Sequence, residues 1–391
     1  MTTLEITLLI WAGIACLFWV FAYTHHLLQL SRLRFLGDLE PPEPEEWPRL
    51  SVLVPARNEE ARLETALTSL RDQDYPNLEI VVVDDRSTDR TGEIIDDMAA
   101  QDPRIRAVHV DELPDGWLGK MHALERAADR ATGDWFLLTD ADVEYAPGAL
   151  RRSVSYALSE DADQLCCVPH IRASSFFHEV CLDAFLVGML GLTNVKKIED
   201  PARDGFLGVG AFNLVRRDTF ERAGGFEALR MEVADDVGLG YIIDQVDGRS
   251  RVALAPSLMQ LTWYDSLGDQ IRGVEKNAFG AIAQYSYLRL LFAMALAVVV
   301  TTGPFVAVAL PSLGLWPAGL AIILCNPIIQ IISAERFRRS IGPFLALPFG
   351  QVISLFALVR SAWKCWRQGG ITWRGTLYSV EELRSRQIVK L

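Results

Sequence analysis

Three polar runs, each following an apolar stretch, have the residue types to hold a charged ligand. Leu50–Val54 is followed by Pro55-Ala56-Arg57-Asn58-Glu59-Glu60, and Glu79–Val83 by Asp84-Asp85-Arg86-Ser87-Thr88-Asp89. Trp135–Thr139 is followed by Asp140-Ala141-Asp142. Acids after strands often cap the next helix, and Ser87, Thr88 or Asp89 is placed to do so. Capping does not account for the carboxylates of Asp84, Asp85, Asp89, Asp140 and Asp142 at two strand ends. Such groups repel unless a cation or a hydrogen-bond donor sits among them. Asp-x-Asp after an apolar strand suits a hard divalent ion, Mg²⁺ or Mn²⁺, which takes carboxylate oxygens together with the phosphates of a nucleotide.

The elements that would position these runs follow from periodicity. Leu50–Val54, Glu79–Val83, Ile105–Val110, Trp135–Thr139 and Leu165–Val168 read as short buried strands. Glu60–Arg71, Thr91–Ala100, Lys120–Ala131 and Gly148–Leu158 read as helices between them. Strand–helix alternation at this spacing predicts an α/β domain with a mostly parallel sheet covered on both faces. Ligands of such sheets bind beyond the carboxyl ends of the strands, where the three polar runs fall.

The rest of the chain is greasier. Of 391 residues half are hydrophobic, yet the formal net charge is −12. That acidity argues against a nucleic-acid partner, which needs a cationic surface. Ile6–Leu30 is long enough to cross about 30 Å of hydrocarbon. With Glu5 as the sole charge before Arg32, it reads as an uncleaved anchor over residues 1–31 rather than a signal peptide. Arg32 and Arg34 place the following domain, residues 49–287, in the cytoplasm. An acidic, Pro-rich linker (32–48) joins the two; its Glu40–Glu46 portion is too stiff and charged to pack. Leu288–Leu310 and Leu313–Ile332 read as two further spans, so the protein is expected to be multi-pass, in a bacterial inner or plasma membrane. Ile341–Trp363 is broken by Pro343, Pro348 and Gly350 and reads as a re-entrant or interfacial hairpin, which keeps the basic tail 364–391 in the cytoplasm. From Ile332 onward ten basic residues face three acidic ones, leaving about −19 for the remainder. The six cysteines form no CxxC pair and predict no disulfide framework. The six histidines lack metal-ligand spacing, except the adjacent His25-His26 in the anchor, and read as structural or interfacial.

Taken in order, Val52-Leu-Val-Pro-Ala-Arg-Asn-Glu59, Val83-Asp-Asp-Arg-Ser-Thr-Asp89, Gly119-Lys120 and Thr139-Asp-Ala-Asp142 resemble the inverting family-2 glycosyltransferases of the GT-A fold. The likeness continues through Gly208-Val-Gly-Ala-Phe-Asn-Leu-Val-Arg-Arg217, Gly224-Gly225-Phe226 and Asp235-Asp236-Val-Gly-Leu-Gly240, and covers roughly residues 50 to 280. The membrane segments and the tail Gly370–Tyr378 are similar to the lipid-modifying branch, near ceramide glucosyltransferases and hopanoid-associated enzymes. The resemblance implies a nucleotide-sugar donor, UDP-linked, and a lipid acceptor. It implies that Pro55, Arg57 and Glu59 line the nucleotide pocket, and that Asp84 and Asp85 meet uracil and ribose. Asp142, supported by Asp140, would hold Mg²⁺ or Mn²⁺. Asp236, ahead of Asp235, would be the base, and Lys120 a further donor contact. Many relatives carry an Arg-Trp pair on a later interfacial helix, where this chain has Asp269-Gln-Ile-Arg272-Gly-Val-Glu-Lys276-Asn277. Arg272 and Lys276, one turn apart, could replace that contact to the diphosphate or could meet lipid headgroups. The missing pair favours single transfer over processive polymerisation.

Ser174–Ile198 reads either as a core helix or as an amphipathic segment forming a mouth for the lipid. The expected activity is transfer of a hexose to a lipid hydroxyl. The rivals are a polyprenyl-phosphate glycosyltransferase, a processive polysaccharide synthase, and a catalytically silent nucleotide-sugar-binding subunit.

Overall fold

The computed structural model describes residues 2–200, 205–373 and 376–381, apart from the side chains at 192, 276, 277, 281, 372, 373 and 376–378. Its twelve strands are β1 (Leu50–Ala56), β2 (Leu78–Asp85), β3 (Ile105–Val110), β4 (Trp135–Leu138), β5 (Glu144–Tyr145), β6 (Gln164–Val168), β7 (His170–Ile171), β8 (Asn213–Arg216), β9 (Ser250–Leu254), β10 (Met259–Leu261), β11 (Gly370–Trp373) and β12 (Thr376–Ser379). Seven of them form one sheet in the order β3-β2-β1-β4-β8-β6-β9. All its pairings are parallel except those of β8, which runs against both β4 and β6. A small sheet, β5-β10-β7, flanks it, and β11-β12 form a hairpin near the C-terminus.

The five predicted strands all appear, and so do the four predicted helices, as Leu63–Arg71, Thr91–Gln101, Gly119–Ala128 and Ala149–Ser159. The alternation of side chains along β1 accounts for the layering. Leu50, Val52 and Val54 face one core, with Leu63, Leu67 and Leu70; Leu53 faces the other, with Met121 and Leu124. Strands β8 and β9 were not predicted. β8 lies inside the Gly208–Arg217 run, whose short apolar stretch Asn213–Arg216 carries too little periodicity to declare a strand.

Among the described residues, three helices are long and apolar enough to cross a membrane: Thr3–Arg32, Tyr287–Ala309 and Trp316–Phe337. They pack together through indole donors and small residues, as expected where lipid offers no hydrophobic drive. Trp11 Nε1 donates to Val299 O at 3.0 Å and Trp19 Nε1 to Val300 O at 2.7 Å. Gly303 is needed at the crossing, because a Cβ there would lie 2.1 Å from that of Ala15.

The stretch after these spans forms a short helix, Ile341–Leu345, and a longer one, Leu347–Gln368. The longer helix exposes Phe349, Val352, Phe356, Val359, Trp363 and Trp366, whose spacing of three and four puts them on one face. Its opposite face, including Gly350, Ala357, Ser361 and Cys365, is buried against the protein. In the helix Phe176–Leu192, Val180, Cys181 and Leu182 are buried, as a core helix requires, whereas Phe176 and Phe177 are exposed.

The linker packs more than its composition suggests. Glu43 pairs with Arg151, and on either side of the acidic run Leu33, Phe35, Leu36 and Trp47 pack on the α/β domain and the apolar helices. A charged stretch can be pinned wherever apolar neighbours flank it. The arginines after the last span are also engaged. Arg336 donates to the carbonyls of Leu30 and Leu33 at the end of the anchor helix, Arg338 pairs with Asp38, and Arg339 pairs with the buried Asp183 and with Glu179. The buried Glu275 receives Arg360 and Lys364 from the helix Leu347–Gln368. The cysteines Cys16, Cys166, Cys167, Cys181, Cys325 and Cys365 are all free.

Candidate active site

The loops after β1 and β2 are stitched to each other. Asn58 N donates to Ser87 Oγ at 3.0 Å, Thr88 N to Asn58 Oδ1 at 2.8 Å and Glu59 N to Thr91 Oγ1 at 2.8 Å. Asn58 and Arg86 both adopt positive φ, 56° and 57°, which turns each loop sharply out of its strand. The result is a fixed rim at the sheet edge, with Pro55 and Arg57 at its base. Asp85 is buried there and held by Arg86 through two contacts, at 2.8 and 3.1 Å, with Arg57 at 3.9 Å.

Strand alternation separates Asp84 from Asp85. Asp84 turns to the other face, where it accepts from Ser87 N at 3.1 Å and lies 3.4 Å from His109 Nδ1. Asp96, with help from Asp84, raises the His109 pKa above the usual imidazole value. Asp84 is therefore committed to the shape of its loop, and only Asp85 shares a face with Gly119-Lys120. Gly119 permits this contact, since a Cβ there would meet Asp85 Oδ2 at 2.6 Å and Arg86 Nη2 at 2.8 Å.

Lys120, the next residue, reaches the second half of the site. Its Nζ lies 2.9 Å from Asp140 Oδ1 and 2.9 Å from Asp235 Oδ2. Burial works against its charge, but Asp140, Asp235 and Asp236 outweigh that and hold it protonated. Asp235 and Asp236 open the helix Asp235–Asp244, where the helix dipole favours anions. Asp236 is fixed by two backbone donors, Gly210 N at 3.0 Å and Val237 N at 2.9 Å. Behind it, Met121, Leu124, Phe226 and Leu229 wall a narrow cavity. Burial, and then the neighbouring Asp235, push the Asp236 pKa above the ordinary carboxylate range.

The Gly-x-Gly segment is what lets these parts meet. A Cβ on Gly208 would fall 1.6 Å from Asp236 O, and one on Gly240 would fall 2.2 Å from Leu207 O. The backbone of 207–210 thus presses directly on the helix that carries Asp236. At Gly210 a Cβ would be 3.2 Å from Asp140 Oδ2 and 3.6 Å from Asp236 Oδ2, so the two carboxylates converge on this glycine.

Asp142 sits beyond Asp140. Its pKa is pushed up to about 7 by burial and by the adjacent Asp140 and Glu59, with Arg62 opposing. Asp140 and Asp142 offer only hard oxygen donors, and the poor stability of the Asp142 anion without a counter-charge fits a divalent cation. Among the described residues no group of three or more His, Cys, Asp or Glu is arranged to hold a metal ion. Two carboxylates with further ligands from a phosphate-bearing donor are a set that Mg²⁺ or Mn²⁺ accepts.

Of the predicted residues, Lys120, Asp140, Asp235 and Asp236 meet, Arg57 and Asp85 form the other half, and Asp84 faces away. Arg272 is paired with Asp269 on its own helix at 2.5 Å, and the Lys276 side chain lies outside the described residues. Sequence reasoning missed Arg86 as a clamp on Asp85 and Gly210 as the point of convergence. It also missed Arg62, which pairs with Asp265 and opposes the rise in the Asp142 pKa. Arg86 had a signal, its place directly after the aspartate pair; Arg62 had none, because Asp265 is distant in sequence.

Comparisons with known proteins bear on the family and the fold. Residues 51–224 match the family model Glycosyl transferase family 2. The chain is 38% identical over 117 residues to the 4,4'-diaponeurosporenoate glycosyltransferase of Staphylococcus haemolyticus, covering 30% of each. It is 32% identical over 165 residues to the beta-monoglucosyldiacylglycerol synthase of Synechocystis, 40% of this chain and 34% of that one. The matched segments thus span about a third of those relatives' length. Among solved structures it is similar to a mannosyltransferase of Pyrobaculum calidifontis in complex with GDP-Man and Mn²⁺, with a TM-score of 0.53, 22% identity, and coverage of 92% of this chain and 98% of that chain. Residues 51–224 are thus similar to glycosyl transferase family 2, and the mostly parallel sheet with its flanking helices has GT-A architecture.

Proposed function

We propose that the protein is an inverting glycosyltransferase that moves a hexose from a nucleotide sugar, UDP-linked, to a hydroxyl of a membrane lipid. One observation carries the reading: the carboxylates of Asp140 and Asp236 converge on Gly210, with Lys120 bridging Asp140 to Asp235. Arg57 and Asp85 hold the nucleotide; the Asp85 carboxylate accepts from a base N–H, while Pro55 and Glu59 shape the rim. Asp140 and Asp142 hold Mg²⁺ or Mn²⁺, which when bound offsets the charge of the leaving diphosphate. Asp236 takes the proton of the acceptor hydroxyl as its oxygen attacks the anomeric carbon from the face opposite the diphosphate. The bond from that carbon to the phosphate oxygen breaks, and the nucleoside diphosphate leaves.

The acceptor side is membrane. The three apolar helices hold the domain at the bilayer, with the positive-inside bias placing it on the cytoplasmic side. The exposed face of Leu347–Gln368 lies in the interface, anchored by Trp363 and Trp366. Relatives named for lipid products, a diaponeurosporenoate and a diacylglycerol glycoside, support a lipid acceptor. A carboxylate base favours a neutral hydroxyl over polyprenyl phosphate, which is already an anion.

The test is to incubate the detergent-purified enzyme with UDP- and GDP-sugars and total membrane lipids, with Mg²⁺ or Mn²⁺, and to analyse the lipids by mass spectrometry. A lipid gaining one hexose from a UDP-sugar supports the reading. A polyprenyl monophosphate product, or a long glycan, assigns the protein to a rival. The absence of transfer or hydrolysis of every donor points to a silent binding subunit.

A further inference from the structure

We propose that Lys120 is a positioning residue that supplies, before donor arrives, the positive charge a divalent cation would bring to Asp140, so that the ion is taken up only together with a nucleoside diphosphate. This rests on the glycosyltransferase reading of the site and adds an order of binding to it. Lys120 Nζ contacts Asp140 and Asp235 at 2.9 Å each. The other Asp140 oxygen is turned to Gly210, 3.2 Å from where a Cβ would stand, and Lys120 Nζ is 3.8 Å from the same point. The ammonium is therefore within the carboxylate ring, with one oxygen of the cation-binding aspartate already paired.

A divalent ion entering alone would meet this ammonium a few ångströms away in a partly buried place, where like charges are poorly screened. It would also find too few ligands, since among the described residues no cluster of three His, Cys, Asp or Glu can hold a metal. A nucleoside diphosphate removes both obstacles. Its oxygens complete the ion's ligand set, and its negative charge offsets the ion and Lys120 together. Lys120 can then stay on Asp235 and keep the residue beside Asp236 in place. Because Gly119 backs the Asp85–Arg86 pair while Lys120 reaches Asp140, the start of one helix touches both halves of the donor site.

The experiment measures Mn²⁺ binding to the full-length, detergent-purified protein by the EPR signal of free Mn²⁺, with and without UDP. For the wild type, UDP should tighten Mn²⁺ binding by about 10-fold or more. Lys120→Met should bind Mn²⁺ without nucleotide about 5- to 10-fold more tightly than the wild type, and its dependence on UDP should shrink. Lys120→Arg, which keeps the charge, should behave as the wild type, and Asp142→Asn should lose the ion in every background. Lys120→Gln, with its melting curve recorded, repeats the neutral substitution should the methionine variant fail to fold. If the neutral variants bind Mn²⁺ alone no more tightly than the wild type while UDP still promotes binding, Lys120 does not have this role and the donor site stands. If the wild type takes up no Mn²⁺ with either UDP or GDP, the proposal and the donor reading fall together.

Discussion

Two charged clusters, one at the carboxyl edge of the sheet and one where the domain meets the membrane helices, are built on opposite plans. At that joint three carboxylates are matched by cations: Asp183 by Arg339, Glu275 by Arg360 and Lys364, and Asp38 by Arg338. At the sheet edge the carboxylates of Asp140, Asp235 and Asp236 gather around the ammonium of Lys120, with Asp142 beside Asp140. Matched buried charge fixes geometry and does little else. Burial, and then the surplus of negative charge, raise the pKa of Asp142 and Asp236, which suits the proposed cation and diphosphate. The arginines that the sequence offers as a topological signal are thus also mechanical, whereas the aspartates that could pass for helix caps form the proposed chemical centre.

The largest effect should come from emptying the surplus. The double variant Asp140→Asn/Asp142→Asn is expected to lose transfer by about 10³-fold or more, with a matching loss of donor affinity by calorimetry. Breaking the matched cluster should instead cost stability. Arg339→Ala leaves Asp183 buried and unpaired, a loss of about 3–5 kcal/mol for such pairs. Burial pushes the Asp183 pKa up to about 7 although Arg339 opposes it, so the group can protonate and the loss should be about 3 kcal/mol, at the low end of that range, in urea unfolding. Donor affinity should change little.

The edge should also respond to pH. Asp142 has a folded pKa of about 7, above its unfolded value of about 3.9. The folded, metal-free protein therefore holds the extra proton, and its stability should decline as pH rises from about 4 through about 7. A melting series should show this decline, and Asp142→Asn should flatten it. Transfer should fall on the acid side as Asp236 protonates, with the limb lying above the ordinary carboxylate range. The smallest effect belongs to Arg338→Ala. Its partner Asp38 is half exposed, and the midpoint of urea unfolding should barely move.

The sequence reveals the strand-end residues because short buried strands and their polar exits are local signals. β1 to β4 and their helices lie where alternation puts them, and Lys120, Asp140 and Asp236 converge as the family likeness implies. What it hides is set by tertiary contact. Asp84 and Asp85 look equivalent until the pleat turns one to Ser87 and His109 and the other to Arg86. Gly208 and Gly210 read as motif letters, yet their reason is the backbone of Asp236 lying against them. The acidic linker looks unable to pack because the apolar side chains that pin it, Leu33, Phe35 and Leu36, flank the charges rather than interrupt them.

The central claim is that Asp236 does proton chemistry while the rest of the edge holds the donor. It is tested by Asp236→Asn, with UDP-sugar affinity and turnover measured on the same detergent-purified sample. The account predicts donor affinity within a few-fold of the wild type and turnover lower by about 10²–10⁴-fold. Near-normal turnover in that variant, with donor still bound, would contradict it.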